Sequence, residues 1–387
     1  MRKYLTLGLF GIVAVTILAF LIKFPPYEEE QPVAINDIMS LRHVSERNDV
    51  PLDALVPLLP VEDRRDFRTT FRNVHRPLSE LPIAHGDVRA AVLAARAEGV
   101  PTRDLVRFIL LGIWVVAAGW ILIRNRNVTR TRTIWLVITF IVFGIILGSS
   151  PNPMEAIVRV HKLINGIPGN PLVLVLGGFA IFTLLSILGA RLLCSWGCPL
   201  GAVQESLYNI PVFKRFKRKH GLPFAASISI RLTVYVLFVL LLFGILNINQ
   251  GGPGSILYHH LNLFKIFDPL ELAVFTLILI PILLVTGLLY FRPFCHTICP
   301  FGLWAWLAER IALNKVRRVN PDACTDCGAC ETACPTDAMA GINAEDGRFF
   351  LHDCWSCHRC IEACPEGVLE WGPRGIGRAR EKSGRSV

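Results

Sequence analysis

Charged residues are scarce in this sequence. Of its 387 residues only 18% are charged, whereas 52% are hydrophobic, and the hydrophobic residues gather in long blocks. This composition is typical of a membrane protein and argues against an ordinary soluble chain. The net charge of +10 lies mainly in the loops between the apolar blocks, and no motif that combines aromatic and basic residues accompanies it. We therefore expect no nucleic-acid partner.

Six apolar segments are long enough to cross a membrane, since a spanning helix needs roughly 17 to 25 mostly apolar residues. They are residues 4–22, 105–123, 134–150, 172–190, 232–248 and 271–291. The first has the charged start and apolar middle of a signal peptide, but no small-x-small cleavage site follows it, so we interpret it as an uncleaved anchor. Pro281 lies inside the last segment, where a membrane helix tolerates a kink.

The basic loops predict the orientation of these spans. Lys and Arg crowd into residues 124–133, residues 213–221 and the chain after Arg292, while the other loops carry few. Basic loops tend to remain cytoplasmic. Six spans that begin inside alternate correctly through all of these loops. We expect a multi-pass protein of the cytoplasmic (inner) membrane whose C-terminal segment is cytoplasmic.

Residues 24–104 form one sizeable segment on the opposite, extracytoplasmic side. The segment has many Arg and no Lys, and its apolar residues recur at helical spacing, which predicts a small domain of about four short helices. Asp87 and Thr102 are predicted N-caps. His43, His75 and His85 could be ligands, but scattered histidines in a polar domain are more often ordinary surface residues.

All 12 cysteines fall into motifs. Residues 324–335 and residues 354–365, the first and second cysteine runs, each read C-x2-C-x2-C-x3-C-P, which is the ligand pattern of bacterial ferredoxins with two [4Fe–4S] clusters. Three closely spaced thiolates hold one cluster and the fourth reaches the other cluster. Cluster one is therefore predicted to take Cys324, Cys327, Cys330 and Cys364, and cluster two Cys354, Cys357, Cys360 and Cys334.

Two alternatives for these eight cysteines fit less well. Structural zinc sites usually pair C-x2-C doublets, whereas each run here has a triplet followed by x3-C-P. Disulfides would require an oxidising compartment, and the predicted topology places both runs in the cytoplasm. Gly328 suits a tight cluster loop, and Trp355 and His358 are predicted to tune the second cluster's surroundings without acting as ligands.

The other four cysteines form two doublets, Cys194/Cys198 and Cys295/Cys299, within an internal repeat. Each unit reads spanning helix, Arg, two residues, C-x3-C-P, one residue, Gly, and a further helix. Pro199 and Pro300 suit the first turn of that helix. If the doublet segments are helical, the i, i+4 spacing puts both thiols on one face, and the two doublets could meet as a metal or cluster site or as a redox-active dithiol pair. The remaining alternative is that these small apolar residues merely pack at a helix bend.

Histidine is lacking inside the spans, which argues against a haem held between them. A quinone headgroup would need a group that exchanges protons near the membrane boundary. Candidates are Glu155, His161, Asp268 and Glu271, with His259 and His260 nearby. The alternative is that these residues only line the interface.

The segments "RLLCSWGCPLGAVQE" and "RPFCHTICPFGLWAW", together with the tandem cysteine runs, resemble the NapH/NosR-type membrane polyferredoxins, a family that includes the CcoG-like proteins. The resemblance covers roughly residues 105 to 372. It implies a membrane-embedded electron carrier: NapH is thought to pass quinol electrons toward an outer-side nitrate reductase, NosR serves nitrous oxide reductase, and CcoG-like proteins reduce copper during oxidase assembly.

The sequence also departs from each of these proteins. Residues 24–104 lack the Ser/Thr-Gly-Ala-Thr motif by which NosR attaches flavin, so we do not expect a flavin. NapH typically has four spans and no outer domain of this size. CcoG-like proteins carry an immunoglobulin-like domain, for which no room remains after Trp371. The physiological partner therefore cannot be taken from the resemblance.

The sequence thus predicts an all-α polytopic membrane protein with about six spans, a small helical extracytoplasmic domain and a C-terminal α+β dicluster ferredoxin domain. The predicted parts are an anchor (1–23), the helical domain (24–104), a five-helix membrane domain (105–318), the ferredoxin domain (319–372) and a basic disordered tail (373–387). The predicted function is electron transfer between the quinone pool, or a cytoplasmic ferredoxin-like donor, and an extracytoplasmic redox enzyme, similar to a quinol dehydrogenase component. The alternative is a maturation factor that reduces a metal or thiol in a client protein through the doublets.

Overall fold

The computed structural model describes most of the chain in two compact units. The described residues are 33, 35–48, 50, 52–97, 102–124, 128–148, 152–164, 172–213, 224–240, 262–267, 274–343 and 353–373. The first unit comprises Met1–Arg107, Gly148–Ala180 and Thr233–Ile282, and the second comprises Phe108–Leu147, Ile181–Leu232 and Leu283–Val387.

Helices make up nearly all of the regular structure in these ranges. They are α1 (Leu41–Asn48), α2 (Phe67–Val74), α3 (His85–Ala97), α4 (Thr102–Arg124), α5 (Thr129–Thr139), α6 (Pro153–Ile164), α7 (Leu172–Leu188), α8 (Pro199–Asn209), α9 (Phe224–Leu240), α10 (Val274–Leu289), α11 (Pro293–Thr297), α12 (Pro300–Ala308), α13 (Ala329–Ala333), α14 (Ala338–Asn343) and α15 (Arg359–Ala363). Two π-helical segments, Phe140–Ile146 and Leu193–Gly197, also occur. The strands are β1 (Asn314–Arg318) and β2 (Leu369–Pro373).

Helices α1 to α3 build a small domain with its own hydrophobic core. Leu41 and Val44 of α1 pack there with Val74 of α2 and with Val88 of α3. Three α-helices and several 3-10 turns thus stand where about four short helices were predicted. The prediction that Asp87 caps α3 is wrong, because α3 begins two residues earlier and Asp87 lies in its first turn, where a carboxylate still favours the helix dipole.

The three histidines of this domain have local partners. His75 contacts the Phe71 carbonyl oxygen through Nδ1 at 2.7 Å. His85 Nε2 lies 2.9 Å from a carboxylate oxygen of Asp37. His43 Nδ1 lies 3.2 Å from the Ser40 hydroxyl. These contacts account for the histidines as parts of the domain's surface.

Within the described residues, two helices are long and apolar enough to cross a membrane, Val106–Arg124 and Thr129–Ile146. Three shorter apolar helices are Val175–Leu188, Ala225–Leu240 and Leu277–Leu289. These helices fall on five of the six predicted spans. The sixth, residues 4–22, lies outside the described residues. Helix α9 begins at Phe224 and covers residues 232–240 of the fifth predicted span, whereas residues 241–248 lie outside the described residues.

Helix α4 is apolar on both of its faces. Leu111, Val115 and Leu122 are buried on one face, whereas Ile113 and Trp120 on the other face are 63% and 60% exposed. A helix that is apolar all round needs an apolar environment on both sides. The exposed face is therefore suited to lipid.

The two strands join the end of α12 to the end of the second cysteine run. β1 pairs with β2 in antiparallel register, with Val316 opposite Trp371. The end of α7 lies against β1, because the Leu313 amide donates to the Ile187 carbonyl oxygen at 2.7 Å. The approach at Gly189 is close, since a Cβ there would lie 2.5 Å from the Trp371 ring. This small sheet holds the cysteine runs next to the ends of the membrane helices.

Candidate metal centre

The two cysteine runs fold as conformational copies. Asp326 and Gly328 in the first run have φ of 52° and 70°, and Ser356 and His358 at the matching places in the second run have φ of 46° and 65°. Only glycine adopts this left-handed conformation without strain. The sequence prediction of a tight loop at Gly328 is confirmed. The second run adopts the same loop although it carries His358 at that place.

Four cysteines line one small cavity that is partly open to solvent. Three of them belong to the second run, Cys354, Cys357 and Cys360, and the fourth is Cys334 of the first run. Burial raises the pKa of the Cys360 thiol well above its usual range, and the neighbouring sulfurs of Cys357 and Cys354 raise it further. The fold therefore brings Cys334 to the second run rather than to its own.

These thiols surround a volume rather than one point. Among the described residues, no three His, Cys, Asp or Glu side chains converge closely enough to bind a single metal ion. A four-iron cube holds each ligand sulfur on a different iron, so its ligands must lie further apart than those of one ion. A donor set of four thiols around a cavity fits such a cluster.

The first run is more open than the second. Cys327 is exposed, and Cys324 and Cys330 are partly buried. The Cys330 sulfur accepts a hydrogen bond from Asn343 Nδ2 at 3.6 Å. Helices α13 and α15 pack side by side, which brings the segment before Cys364 to the first run. The thiols of Cys324, Cys327, Cys330 and Cys364 thus lie at the outer side of the pair.

The doublets lie in short bends and not in one continuous helix. Cys194 is in the π-helical segment and Cys295 is in α11, whereas Cys198 and Cys299 are extended, with ψ of 117° and 116°. The condition of a continuous helix through each doublet is therefore not met. Proline is the reason, because the residue before a proline is disfavoured in the α conformation. The prediction that Pro199 and Pro300 open the next helices is confirmed.

Glycine is required at the matching positions after the two doublets. A Cβ at Gly201 would lie 2.4 Å from Arg292 Nη1 and 2.9 Å from the Cys194 carbonyl oxygen. A Cβ at Gly302 would lie 2.5 Å from the Cys295 carbonyl oxygen. In both repeats the chain folds back closely on its own doublet.

The substitution Gly201→Ala should therefore destabilise the protein by about 1 to 3 kcal/mol, since Arg292 is buried and cannot move away without losing its own bonds. The matched control is Gly112→Ala in α4, where nothing lies within 4 Å of the added carbon. Alanine there should raise stability by about 0.4 to 1 kcal/mol. Unfolding of the full chain in detergent measures both values, and equal effects at the two sites would refute this account.

The arginine three residues before each doublet is fully buried, and its backbone has a left-handed conformation. Arg191 has φ 52° and Arg292 has φ 48°. Each reaches across to the other repeat: Arg191 Nη2 donates to the Gly302 carbonyl oxygen at 3.3 Å, and Arg292 Nη2 donates to the Ser195 carbonyl oxygen at 2.8 Å. This reciprocal exchange ties the two repeats together.

Both guanidinium groups also contact Trp355 of the second cysteine run. The Cζ atoms of Arg191 and Arg292 each lie 4.8 Å from the Trp355 ring centroid. A cation over an indole ring is favourable, particularly where water is excluded. Trp355 lines the four-thiol cavity as well, so it connects that cavity with the doublets.

Glu205 of α8 is fully buried and pairs with three arginines. Its carboxylate accepts from Arg132 Nε at 2.7 Å and from Arg292 Nε at 2.8 Å, and lies 3.4 Å from Arg359 Nη2. Burial alone would raise the pKa of Glu205, but Arg132 and Arg292 outweigh it and hold the pKa well below its usual range. Glu205 is therefore an anion that joins α5, α8 and α15.

A second buried carboxylate, Asp353, stands at the start of the second run. It pairs with Arg191 and Arg231, and its pKa is well below the usual range because these two cations outweigh the effect of burial. His296 Nδ1 lies 3.2 Å from Asp353, and Trp355 Nε1 donates to His296 Nε2 at 3.1 Å. Arg231 thus brings a buried charge from the apolar helix α9 to the start of the second run.

The second run is docked directly onto the repeats. Trp196 Nε1 donates to the Ser356 carbonyl oxygen at 3.1 Å, and the Ser356 hydroxyl donates to the Ala190 carbonyl oxygen at 2.8 Å. The Glu362 carboxylate accepts from the Thr129 amide at 2.5 Å and so caps the start of α5. These bonds place the four-thiol cavity beside the ends of the membrane helices.

Most of the predicted quinone residues are not described. Asp268, Glu271, His259 and His260 lie outside the described residues. His161 of α6 is buried, with Nδ1 at 2.8 Å from the Ile157 carbonyl oxygen, and burial lowers its pKa. Glu155 pairs with Arg159 at 3.5 Å. The structure thus describes only Glu155 and His161 of the six residues considered for a quinone site.

Sequence reasoning missed the buried ion pairs. Arg191 and Arg292 were visible as the fixed arginine of the repeat, and that repetition was a usable signal. No signal in the sequence pointed to Glu205, Glu309 and Asp353, because each pairs with residues far away in the chain. Glu309 accepts from the Cys354 amide at 3.0 Å, and burial raises its pKa to about 7.

Three family models match this chain. A 4Fe–4S dicluster domain matches residues 316–365, a second 4Fe–4S dicluster domain matches residues 293–338, and a 4Fe–4S binding domain matches residues 171–222. The first range contains both cysteine runs, and the third contains only the doublet Cys194/Cys198. Iron–sulfur clusters are thus indicated for this chain.

Several curated proteins are similar to it. The putative electron transport protein YccM of Escherichia coli is 27% identical over 195 residues, which is 48% of this chain and 51% of that protein. The methylamine utilization ferredoxin-type protein MauN of Methylorubrum extorquens is 26% identical over 73% of this chain and 96% of its own length. The ferredoxin-type protein NapH of Haemophilus influenzae is 27% identical over 53% of this chain and 70% of its own length. No solved structure matches.

Proposed function

We propose that this chain, which is a NapH-type 4Fe–4S membrane polyferredoxin, relays single electrons between the membrane and a redox partner through two clusters. Cluster one would be held by Cys324, Cys327, Cys330 and Cys364, and cluster two by Cys354, Cys357, Cys360 and Cys334. The observation that carries the proposal is the cavity lined by the four cysteines of the second set. When bound, such clusters exchange single electrons without moving protons.

The residues around the cavity support this role. Val316, Met339 and Ile342 line it beside the cysteines and limit its contact with water. The Cys354 amide is fixed by Glu309, and Trp355 is held between two arginines. A redox site works best where its surroundings do not rearrange, since burial and fixed hydrogen bonds set the potential of a cluster.

The two runs lie in different surroundings, so the two proposed clusters would differ in which partner can approach them. The second run is buried against the repeats, with Trp355 and Cys360 buried, whereas Cys327 of the first run is exposed. Cluster two is then the member next to the membrane, and cluster one is the member that a water-soluble protein can approach. Electrons would pass between them one at a time.

For the surroundings we propose a multi-pass protein of the cytoplasmic membrane with its ferredoxin part in the cytoplasm. The basic loops and the lipid-suited face of α4 support this topology. The quinone pool or a cytoplasmic ferredoxin-like protein would be one partner, and an extracytoplasmic redox enzyme the other. The printed names of the relatives, electron transport protein and ferredoxin-type protein, agree with this class.

The burial of one cysteine in each doublet favours electron transfer over the maturation alternative. Cys194 and Cys295 are 8% and 6% exposed, whereas Cys198 and Cys299 are partly exposed. A thiol that reduces a client must reach the client's metal or disulfide, and thiol exchange depends on access. Cys194 and Cys295 are therefore poorly placed to serve a client directly.

The experiment follows the visible absorbance of the clusters in full-length protein in liposomes under anaerobic conditions. A reduced short-chain quinone is the donor in one assay, and a reduced soluble ferredoxin in the other. Quinol should reduce the wild type. In Cys357→Ala, which lacks cluster two, quinol reduction of the remaining cluster should fall to background, while the soluble donor should still reduce it.

Cys327→Ala is the matched control, because it removes the outer cluster and should leave quinol reduction of cluster two intact. If neither donor reduces the wild-type clusters, the electron-transfer proposal fails. If Cys357→Ala keeps its full quinol rate, the order of the two clusters proposed here is wrong.

A further inference from the structure

We infer that the two doublets together hold a third [4Fe–4S] cluster, with Cys194, Cys198, Cys295 and Cys299 as its ligands. The site lies between the two repeats, beside the second cysteine run. It goes beyond the proposed function, which requires only the two clusters of the ferredoxin runs.

The fold brings the doublets together from opposite repeats. Gln204, in the helix after the first doublet, donates through Nε2 to the Cys295 sulfur at 3.4 Å. The same side chain accepts from the Phe294 amide at 3.0 Å. One glutamine of the first repeat thus holds the second doublet by both its backbone and its thiol. All four thiols lie in the second unit of the chain.

The arginine exchange between the repeats fixes this proximity. Arg292, three residues before Cys295, donates through Nη1 to the Cys194 carbonyl oxygen. Arg191, three residues before Cys194, donates through Nη2 to the carbonyl oxygen of Gly302, three residues after Cys299, at 3.3 Å. The backbone of each doublet is therefore held against the other repeat.

The buried charges call for a negative group at this place. Three buried carboxylates, Glu205, Glu309 and Asp353, face four buried arginines and the partly exposed Arg359. The buried arginines are Arg132, Arg191, Arg231 and Arg292. Arg292 Nη1 donates to the Cys194 carbonyl oxygen, and Arg191 Nη1 is buried without a hydrogen-bond partner. Uncompensated buried charge is costly.

Four thiolates around a [4Fe–4S] core of charge +2 carry a net charge of about −2, which offsets this excess of positive charge. Four neutral thiols that only pack at a bend would leave it in place. A disulfide would be neutral as well. The charge balance therefore favours a thiolate-ligated centre over both alternatives.

The family models indicate which centre it is. The 4Fe–4S binding domain matches residues 171–222, a range whose only cysteines are Cys194 and Cys198. Two thiols cannot complete the four ligands of a cubane. The other two are supplied by Cys295 and Cys299, which fall within the dicluster match at residues 293–338.

The test counts iron and acid-labile sulfide per chain in full-length protein that is purified anaerobically in detergent. The wild type should contain about 12 iron atoms, and the double variant Cys198→Ala/Cys299→Ala about 8. The reverse variant removes two ligands from each ferredoxin cluster: Cys327→Ala, Cys330→Ala, Cys357→Ala and Cys360→Ala. It should retain about 4 iron atoms, with the Mössbauer spectrum of a single cubane.

About 8 iron atoms in the wild type and none in the reverse variant would overturn the inference. Zinc or copper bound at the doublets, or a disulfide between them, would overturn it too. If the variant Cys198→Ala/Cys299→Ala does not accumulate, the iron content of the reverse variant tests the inference. If the reverse variant does not accumulate either, the iron content of the wild type tests it. If only the inference of a third cluster is wrong, the wild type still contains about 8 iron atoms in the two ferredoxin clusters. If the two-cluster proposal is wrong, the ferredoxin runs contain no iron.

Discussion

Glu205→Gln is expected to destabilise the protein by about 3 to 5 kcal/mol. The substitution keeps the shape of the side chain but removes the charge that pairs with Arg132, Arg292 and Arg359. These guanidinium groups would then lie close together without their shared carboxylate. Removing one partner of a buried ion pair costs far more than the pair itself contributes, because the remaining charges stay out of water. Denaturant titration of the full chain in detergent measures the loss.

The matched control is Glu62→Gln in the helical domain. Glu62 pairs with Arg65 at 3.5 Å, and the two side chains are 82% and 69% exposed. Water and salt screen such a pair, so its loss should cost less than about 1 kcal/mol. If Glu205→Gln costs no more than the control, the buried network does not hold the repeats and the second run together.

Cys334→Ala is expected to abolish cluster two and to spare cluster one. Cys334 belongs to the first run in sequence, but it lines the cavity of the second run. A cubane that loses one of its four thiolates is no longer fully coordinated. Electron paramagnetic resonance of the reduced full chain should therefore lose the signal of cluster two and its interaction with cluster one, while the signal of cluster one remains.

Three further variants identify the centre that remains. The spectrum of Cys334→Ala should match that of Cys357→Ala, and the spectrum of Cys364→Ala should match that of Cys327→Ala. If each run instead serves its own cluster, Cys334→Ala will match Cys327→Ala. That result would refute the exchange of fourth ligands between the runs.

Local spacing explains why the cysteine runs could be predicted. A C-x2-C-x2-C run leaves few conformations for its backbone, and the left-handed residue at Gly328 could be expected from glycine alone. The matching conformation at His358 could be expected only from the repeat. Cys334 was paired with the second run from the ferredoxin pattern, and the cavity agrees with that pairing.

Long-range pairing explains what could not be predicted. The ion pair between Arg231 and Asp353 is an example, because the two residues lie more than a hundred positions apart in the chain. No feature of the sequence near Arg231 indicates that Asp353 is its partner.

The backbone of each doublet is not helical throughout, and the residue that follows each doublet already indicates why. Cys198 and Cys299 each precede a proline, and such residues favour extended backbone. The same prolines that correctly predicted the starts of α8 and α12 thus also end the bends before them. Spacing alone was a poor guide at these positions.

The central claim is that this chain carries electrons through protein-bound iron–sulfur clusters. The most direct test is the electron paramagnetic resonance spectrum of the wild-type full chain, purified anaerobically and then chemically reduced, together with its metal content. The account predicts iron and sulfide in equal amounts and the signals of interacting reduced [4Fe–4S] centres. A protein that contains zinc in place of iron, with no such signal, would contradict it.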